Sequence, residues 1–375
     1  MLMRDITTIT MDPKELRAKA VLVERRKEEG VRLCLDRPVQ ARKGSTLFGD
    51  VRLVHNALPE IDFDDIDAST KFLGHRFSAP IMIGAMTGGA QISKKINRNL
   101  AEAAEELGIG MSVGSQRAGL LTKSLADTYS VARQAGPHIF LGSNIGGAQL
   151  SHGLGLGEAK KLINMLDADA LYVHLNPLQE LVQPEGEPEY NGVLAKIKDL
   201  IAGLDKPVVV KEVGSGISDQ VARRLEAVGA SAIEVAGSGG TSWPGVESYR
   251  AKEAGDTLRF AAGNMLWDWG IPTAAALYGV RRSVKIPVVA SGGLRTGLDV
   301  AKAMAMGADL CATAWPLLRP ATVSSAKVRE YLENVIFVLK SVMFVTGCRN
   351  VAELRKSRYI VTGELKDWCA LFDKA

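Results

Sequence analysis

What this chain lacks narrows it first. It has four cysteines in 375 residues, Cys34, Cys311, Cys348 and Cys369, too far apart for a metal-site spacing. A reducing, cytoplasmic setting is therefore the default expectation. No apolar stretch reaches the roughly 20 residues a membrane helix needs, so no membrane partner is expected. The opening Met-Leu-Met-Arg-Asp-Ile-Thr-Thr holds no signal-peptide core. An excess of one charge is missing too. The net charge is +4, and runs such as Arg42-Lys43 and Arg281-Arg282 are short enough to be solvated faces, which argues against nucleic acid. His55, His75, His138 and His152 follow no pairing pattern. What is present is ordinary globular material: 46% apolar, 23% charged, with 38 glycines.

The organisation is rhythmic. Short apolar runs occur at 80–85, 110–113, 139–142, 170–173, 207–210, 232–235, 287–290 and 310–313. Their length and bounding turn residues suit buried parallel strands. Helical spacing separates them: Ile96, Leu100, Ala104 and Leu107; Val221, Leu225 and Val228; Leu298, Ala301, Met304 and Ala305. Eight strand–helix units over about 250 residues predict an α/β fold, a TIM (β/α)8 barrel. An open doubly wound sheet, with fewer strands as a rule, is the competitor. The interval 241–286 is too long for one crossover and is expected to place extra helices over the barrel mouth. Residues 324–345 read as a long helix, followed by a short one near 350–357 and a last piece at 362–372. Ahead of the barrel, residues 1–11 read as a loose leader, and Asp12-Pro13-Lys14-Glu15 as a helix start with a capping box. That helix is expected to stop at Gly30, with short strands at 31–35 and 51–54. Two parts are thus expected: an extension over 1–78 packing on a barrel over 79–375.

In such barrels, chemistry sits at the carboxyl ends of the strands. The fourth run ends in His174, Asn176, Gln179 and Glu180, broken by Pro177, which cannot continue a ladder. Glu180 is suited to a hard cation such as Mg²⁺. The tail 183–188 is too rich in Pro and Gly for a helix and reads as an ordered or lid-like loop. Ser291-Gly292-Gly293-Leu294-Arg295-Thr296-Gly297 follows the seventh run and opens a helix, a place where backbone N–H groups can meet a phosphate. Lys211 ends the fifth run, where it either pairs Glu212 or faces a cofactor; a flavin ring suits a lysine there, because the cation stabilises its reduced, anionic form. No carboxylate pair for acid–base work stands out. The Gly153-Leu-Gly155-Leu-Gly157 stretch follows no strand directly and reads as a turn.

Met86-Thr87-Gly88-Gly89, Gly114-Ser115-Gln116-Arg117, His174-Leu-Asn-Pro-Leu-Gln-Glu180, Gly239-Gly240-Thr241-Ser242-Trp243 and the Ser291–Gly297 turn occur here in that order. With them the chain resembles the type 2 isopentenyl-diphosphate isomerases from about Arg25 to Trp368. The resemblance implies FMN, Mg²⁺, NADPH or NADH as reductant, and a homo-oligomer, tetramer or octamer. It implies a small prenyl diphosphate substrate, isopentenyl diphosphate being interconverted with dimethylallyl diphosphate. It assigns FMN to Ala85, Met86, Thr87, Ser115, Asn144, Lys211, Thr241, Gly293, Leu294, Arg295, Ala314 and Trp315. It assigns the diphosphate to Arg26, Lys27, Ser115, Gln116, Arg117, His174, Asn176 and Gln179, and Mg²⁺ to Glu180. Catalytic roles fall to Gln179, His174, Asn176 and Lys211, with the reduced flavin as the acid–base centre. Two positions depart from the pattern: Gly30 stands where an Arg-Lys-x-x-His signature has its histidine, and Ala236 where a serine is common. The alternatives weighed are an FMN-dependent oxidoreductase on the same barrel, whose sixth-strand loop 237–243 lacks the histidine base such enzymes use, and a non-catalytic flavin- or prenyl-diphosphate-binding homologue.

Overall fold

The computed structural model of the protein describes residues 13–374, with side chains from residue 20 onward; the leader at 1–11 and the capping residue Asp12 lie outside the described residues. Eight parallel strands close into a barrel: β1 (Ile81–Ile83), β2 (Gly110–Ser112), β3 (Leu141–Gly146), β4 (Ala170–His174), β5 (Val208–Lys211), β6 (Ala232–Glu234), β7 (Val288–Ala290) and β8 (Leu310–Thr313). Each strand neighbours the next in sequence, and β8 closes on β1 with Cys311 opposite Ile81. Every residue of these strands is buried, which is why each reads as an unbroken apolar run and not as an alternation. The register sets His174 opposite Lys211 and Lys211 opposite Glu234, so three polar side chains share one level at the carboxyl rim.

β3 runs past its apolar segment. Ser143 and Asn144, expected just after the strand, lie inside it and are buried. Their polar groups are satisfied in the barrel wall: Ser143 Oγ and the Asn144 N–H both donate to Gln116 Oε1, at 2.6 and 2.8 Å, so polarity does not end the strand.

The first helix is longer than expected. α1 spans Pro13–Asp36 and passes through Gly30. Gly30 lies outside the left-handed region, so nothing there forces a stop. Val31, Leu33 and Cys34 are buried by the helix's last turns; this burial outweighs the β-propensity of 31–35, which is helix and not strand. The strand expected at 51–54 forms at Val51–Leu53 and pairs with Tyr359–Val361.

The mouth is built by helices that follow the strands: α2 (Pro177–Val182) after β4, α3 (Trp243–Glu253) and α4 (Thr257–Met265) after β6, α5 (Gly297–Ala305) after β7, and α6 (Trp315–Val323) after β8. Pro177, Pro244 and Pro316 open the first turns of α2, α3 and α6, where a missing N–H costs nothing. α7 (Ser325–Val345) packs outside on α5 and α6. α1 lies across the mouth. Trp315 Nε1 donates to the Cys34 carbonyl at 2.9 Å, Arg319 donates to the Leu35 carbonyl, and Arg250 Nε faces Glu29 Oε2 at 3.5 Å. No helix among the described residues is long and apolar enough to cross a membrane.

Candidate active site

Under α1 the strand ends enclose a cavity of about 220 Å³. A second lobe of about 130 Å³ shares its wall at Arg26, Lys27, Ala85, Met86, Lys211 and Trp243, so the two form one mouth space. The first lobe is bounded by Ala85, Met86, Thr87, Lys211, Thr241, Gly293, Leu294, Arg295, Ala314 and Trp315. Ser115, Asn144, Arg117, His174, Asn176, Gln179 and Glu180 line the second. Residues assigned from all eight strand ends therefore meet around one space.

Gln116 is the exception. It is fully buried, lines neither lobe, and donates through Nε2 to the Leu162 carbonyl at 3.1 Å while accepting from Ser143 and Asn144. With both ends of its amide committed inside the wall, it does not reach the mouth, in contrast to the substrate contact expected of it. The alternative pairing of Lys211 with Glu212 is corrected too. The Glu212 carboxylate is taken by the N–H groups of Val213, Gly214 and Ser215 at 2.5–2.7 Å. Lys211 Nζ donates to the Glu212 carbonyl and faces Glu234 Oε1 at 3.6 Å.

The glycine turn after β7 sits against the loop after β6. Gly293 has φ +74°, and a Cβ there would come within 2.5 Å of Thr46 and 2.9 Å of the Gly239 carbonyl. Only glycine fits. Among the described residues no acceptor is found for the N–H groups of Gly293 and Leu294, two residues that line the first lobe just ahead of α5. Beside them, Gln40 donates to Thr241 Oγ1 at 3.2 Å and accepts from Arg295, whose guanidinium lies 5.3 Å from the Trp315 ring centre. Glu234 Oε2 is buried without a hydrogen-bond partner among the described residues. Unpaired backbone N–H groups at one end, a lysine at the other and apolar walls between them are a lining that would suit FMN.

The second lobe is cationic. Arg26 and Lys27 project from α1, and among the described residues neither forms an ion pair. Lys27 Nζ has one distant contact, the Ser115 carbonyl at 3.5 Å. Enclosure, followed by the charges of Arg26 and Arg117, pushes the Lys27 ammonium down to about 7. Burial, then Arg117, lowers Arg26 as well. Arg117 is held by Glu187 at 2.8 Å. His174 is oriented by Asn144: the amide's Nδ2 is committed to the Val113 carbonyl at 3.0 Å, so Oδ1 accepts from His174 Nδ1 at 2.8 Å. Burial, with Lys211, Lys27 and Arg117 nearby, drives His174 down to about 3, so the imidazole is neutral at ordinary pH. Across the lobe, Glu180 accepts from Asn176 Nδ2 at 3.0 Å and from the Glu187 N–H at 2.9 Å. No group of three or more metal-ligating side chains occurs among the described residues, so a cation here would need ligand oxygens beside Glu180.

Three residues were not picked out from sequence. Glu247, on α3, is buried and accepts from Gln179 Nε2 at 3.0 Å; burial raises its carboxyl above the usual range despite the Arg250 charge beside it. Arg250 binds Glu247 and Glu185 at 2.8 Å each, tying α3 to the 183–188 loop. Glu234 completes the rim beside Lys211. Glu247 and Arg250, at helical spacing of three on a segment expected to cover the mouth, carried the one usable signal.

Comparison with known proteins identifies the family. The sequence profile of the FMN-dependent dehydrogenase family matches residues 29–140 and 175–361. Isopentenyl-diphosphate delta-isomerase of Thermococcus onnurineus (strain NA1) is 47% identical over 352 residues, covering 92% of each chain. The isopentenyl-diphosphate delta-isomerase of Methanococcoides burtonii is 46% identical over 92% of this chain and 94% of its own. Among solved structures, a mandelate oxidase variant with benzaldehyde superposes with a TM-score of 0.61 at 17% identity, covering 93% of this chain and 98% of the other, a likeness of fold alone. On this sequence identity and this barrel, the chain belongs to the type 2, FMN-dependent isopentenyl-diphosphate delta-isomerases.

Proposed function

We propose that the protein interconverts isopentenyl and dimethylallyl diphosphate, with FMN in the first lobe and the diphosphate in the second. One observation carries the division of labour. Arg26, Lys27 and Arg117 converge on a lobe that opens directly onto the lobe of Lys211 and Gly293, so an allylic chain held by its diphosphate would extend over the cofactor. Bound in its reduced state, FMN supplies the acid–base chemistry of the shift, and NADPH or NADH supplies the reducing electrons. Gly293, Leu294, Arg295 and Thr241 would hold the flavin phosphate end, and Lys211 the ring.

The chain's own residues do the rest. Arg26 and Lys27 give charge-assisted contacts to the diphosphate, and Arg117 joins them by exchanging Glu187 for substrate oxygens. Glu180 would hold Mg²⁺, a small hard cation that favours carboxylate and phosphate oxygens and would offset the diphosphate's charge. Asn176 and the Glu187 N–H keep the Glu180 carboxylate oriented. Gln179 is fixed through Nε2 by Glu247 and receives Asn176 Nδ2 at its Oε1, 3.1 Å away, so its amide is held at the boundary of the lobes. Neutral His174 offers a dipole without adding a fourth cation. Met86, Trp243 and Val213 wall the junction and limit water around the reacting carbons.

Anaerobic assay tests this. After a single reduction with NADPH, turnover with isopentenyl diphosphate should continue through many cycles with no further NADPH consumed. Turnover that stops after one equivalent would reject the isomerase reading in favour of net redox chemistry.

A further inference from the structure

We infer that Glu234 is a positioning residue of the flavin site, holding the Lys211 ammonium and setting how much of its positive charge reaches the cofactor ring; this rests on the FMN reading above. Lys211, Glu234 and Ser291 come from three neighbouring strand ends, and register places Lys211 opposite Glu234. The Lys211 and Glu234 side chains are 7% and 3% exposed. Glu234 Oε1 accepts from Ser291 Oγ at 2.8 Å and faces Lys211 Nζ at 3.6 Å, so the hydroxyl fixes the carboxylate and the carboxylate fixes the ammonium.

The second carboxylate oxygen, Oε2, is buried and left unpaired among the described residues, although Glu234 lines the cavity. Buried carboxylate oxygens are costly to leave without a donor. Lys211 and Glu234 both line the lobe assigned to FMN, so the field of this pair acts on a ring bound there. The electrostatic consequence follows from distance. In a closed, low-dielectric site an isolated lysine would strongly favour the anionic reduced ring. A carboxylate 3.6 Å from that ammonium offsets much of the field. If Glu234 only tied β6 to its neighbours, changing its charge would alter stability and leave the cofactor's redox balance where it was.

The test is the two-electron midpoint potential of FMN in the purified holoenzyme, measured anaerobically against redox dyes, together with the affinity of the apoprotein for oxidised FMN. Glu234→Gln keeps the shape and removes the charge. It should favour reduced over oxidised FMN by tenfold or more, an upward shift of about 30 mV or more. Glu234→Asp keeps the charge and should lie nearer the wild-type potential. Glu234→Ala, read in parallel, should also shift upward and keeps the test decisive if the glutamine variant folds poorly. An unchanged or lowered potential in the charge-removed variants overturns the inference alone. A wild-type protein that takes up no FMN overturns the cofactor reading and the inference with it.

Discussion

In the proposed site, Lys27 should make diphosphate affinity a function of pH with a sign that can be worked out. Its ammonium is depressed to about 7 by enclosure and by Arg26 and Arg117, with Glu247 and Glu180 opposing. A bound diphosphate supplies negative charge and favours the protonated amine, so above pH 7 binding must take up a proton. With ligand binding only the protonated form, apparent affinity falls by a factor of about 1 + 10^(pH − 7): roughly twofold at pH 7, about tenfold at pH 8 and about a hundredfold at pH 9, following the one-unit, 1.36 kcal/mol rule. Lys27→Ala should bind about tenfold or more weakly than wild type at pH 6, since a charge-assisted contact contributes about 1.5–3 kcal/mol. Its curve should meet the wild-type curve near pH 8 if the loss is about tenfold and near pH 9 if it is about a hundredfold. Lys27→Arg cannot deprotonate in this range and should stay flat. Ionisation of the diphosphate itself acts on all three alike and cancels in the comparison. Calorimetry with isopentenyl diphosphate on the oxidised holoenzyme from pH 6 to 9, in buffers of different ionisation heat, reads both affinity and proton uptake. Parallel wild-type and Lys27→Arg curves would refute the reasoning.

Arg295→Ala should weaken FMN binding about ten- to a hundredfold without unfolding the protein, because the side chain is exposed and its hydrogen-bond and cation–π partners among the described residues are Gln40 and Trp315; flavin fluorescence titration of the apoprotein checks it, and full retention removes Arg295 from the phosphate end. Glu180→Gln should shift the Mg²⁺ activation curve to higher concentration while flavin stays bound, and a superimposable curve would dismiss Glu180 as the metal residue. Gly30→Ala should raise stability by about 0.5–1 kcal/mol, since a Cβ there meets nothing within 4 Å; a lowered urea midpoint would contradict it. At the same position, Gly30→His should leave the fold intact and leave the Michaelis constant unchanged or modestly lower.

The barrel was legible because its strands are buried on both faces: eight apolar runs gave eight strands in order, including their pairing across the β8–β1 closure. The strand-end residues were legible for the same reason, since each follows a run. What escaped depends on three-dimensional partners. Gly30 resembles a helix stop until the burial of Val31, Leu33 and Cys34 is known. Gln116 sits between Ser115 and Arg117, which line the mouth, yet its amide turns into the wall to serve Ser143 and Asn144. Glu234 ends an ordinary strand, and only register across β5 and β6 reveals it beside Lys211. Glu247 and Arg250 look like solvated helix charges until α3 is laid over the mouth against Gln179 and Glu185.

α1 both roofs the first lobe and carries Arg26 and Lys27, the two cations proposed to grip the diphosphate. Flavin and substrate therefore share a single lock. On that reading, FMN would leave when the segment around Cys34 and Leu35 releases Trp315 and Arg319, and a diphosphate on Arg26 and Lys27 would hold the same segment down. Cofactor residence time should lengthen as substrate saturates the enzyme, so a resting cell short of prenyl diphosphates would exchange its flavin faster than a busy one.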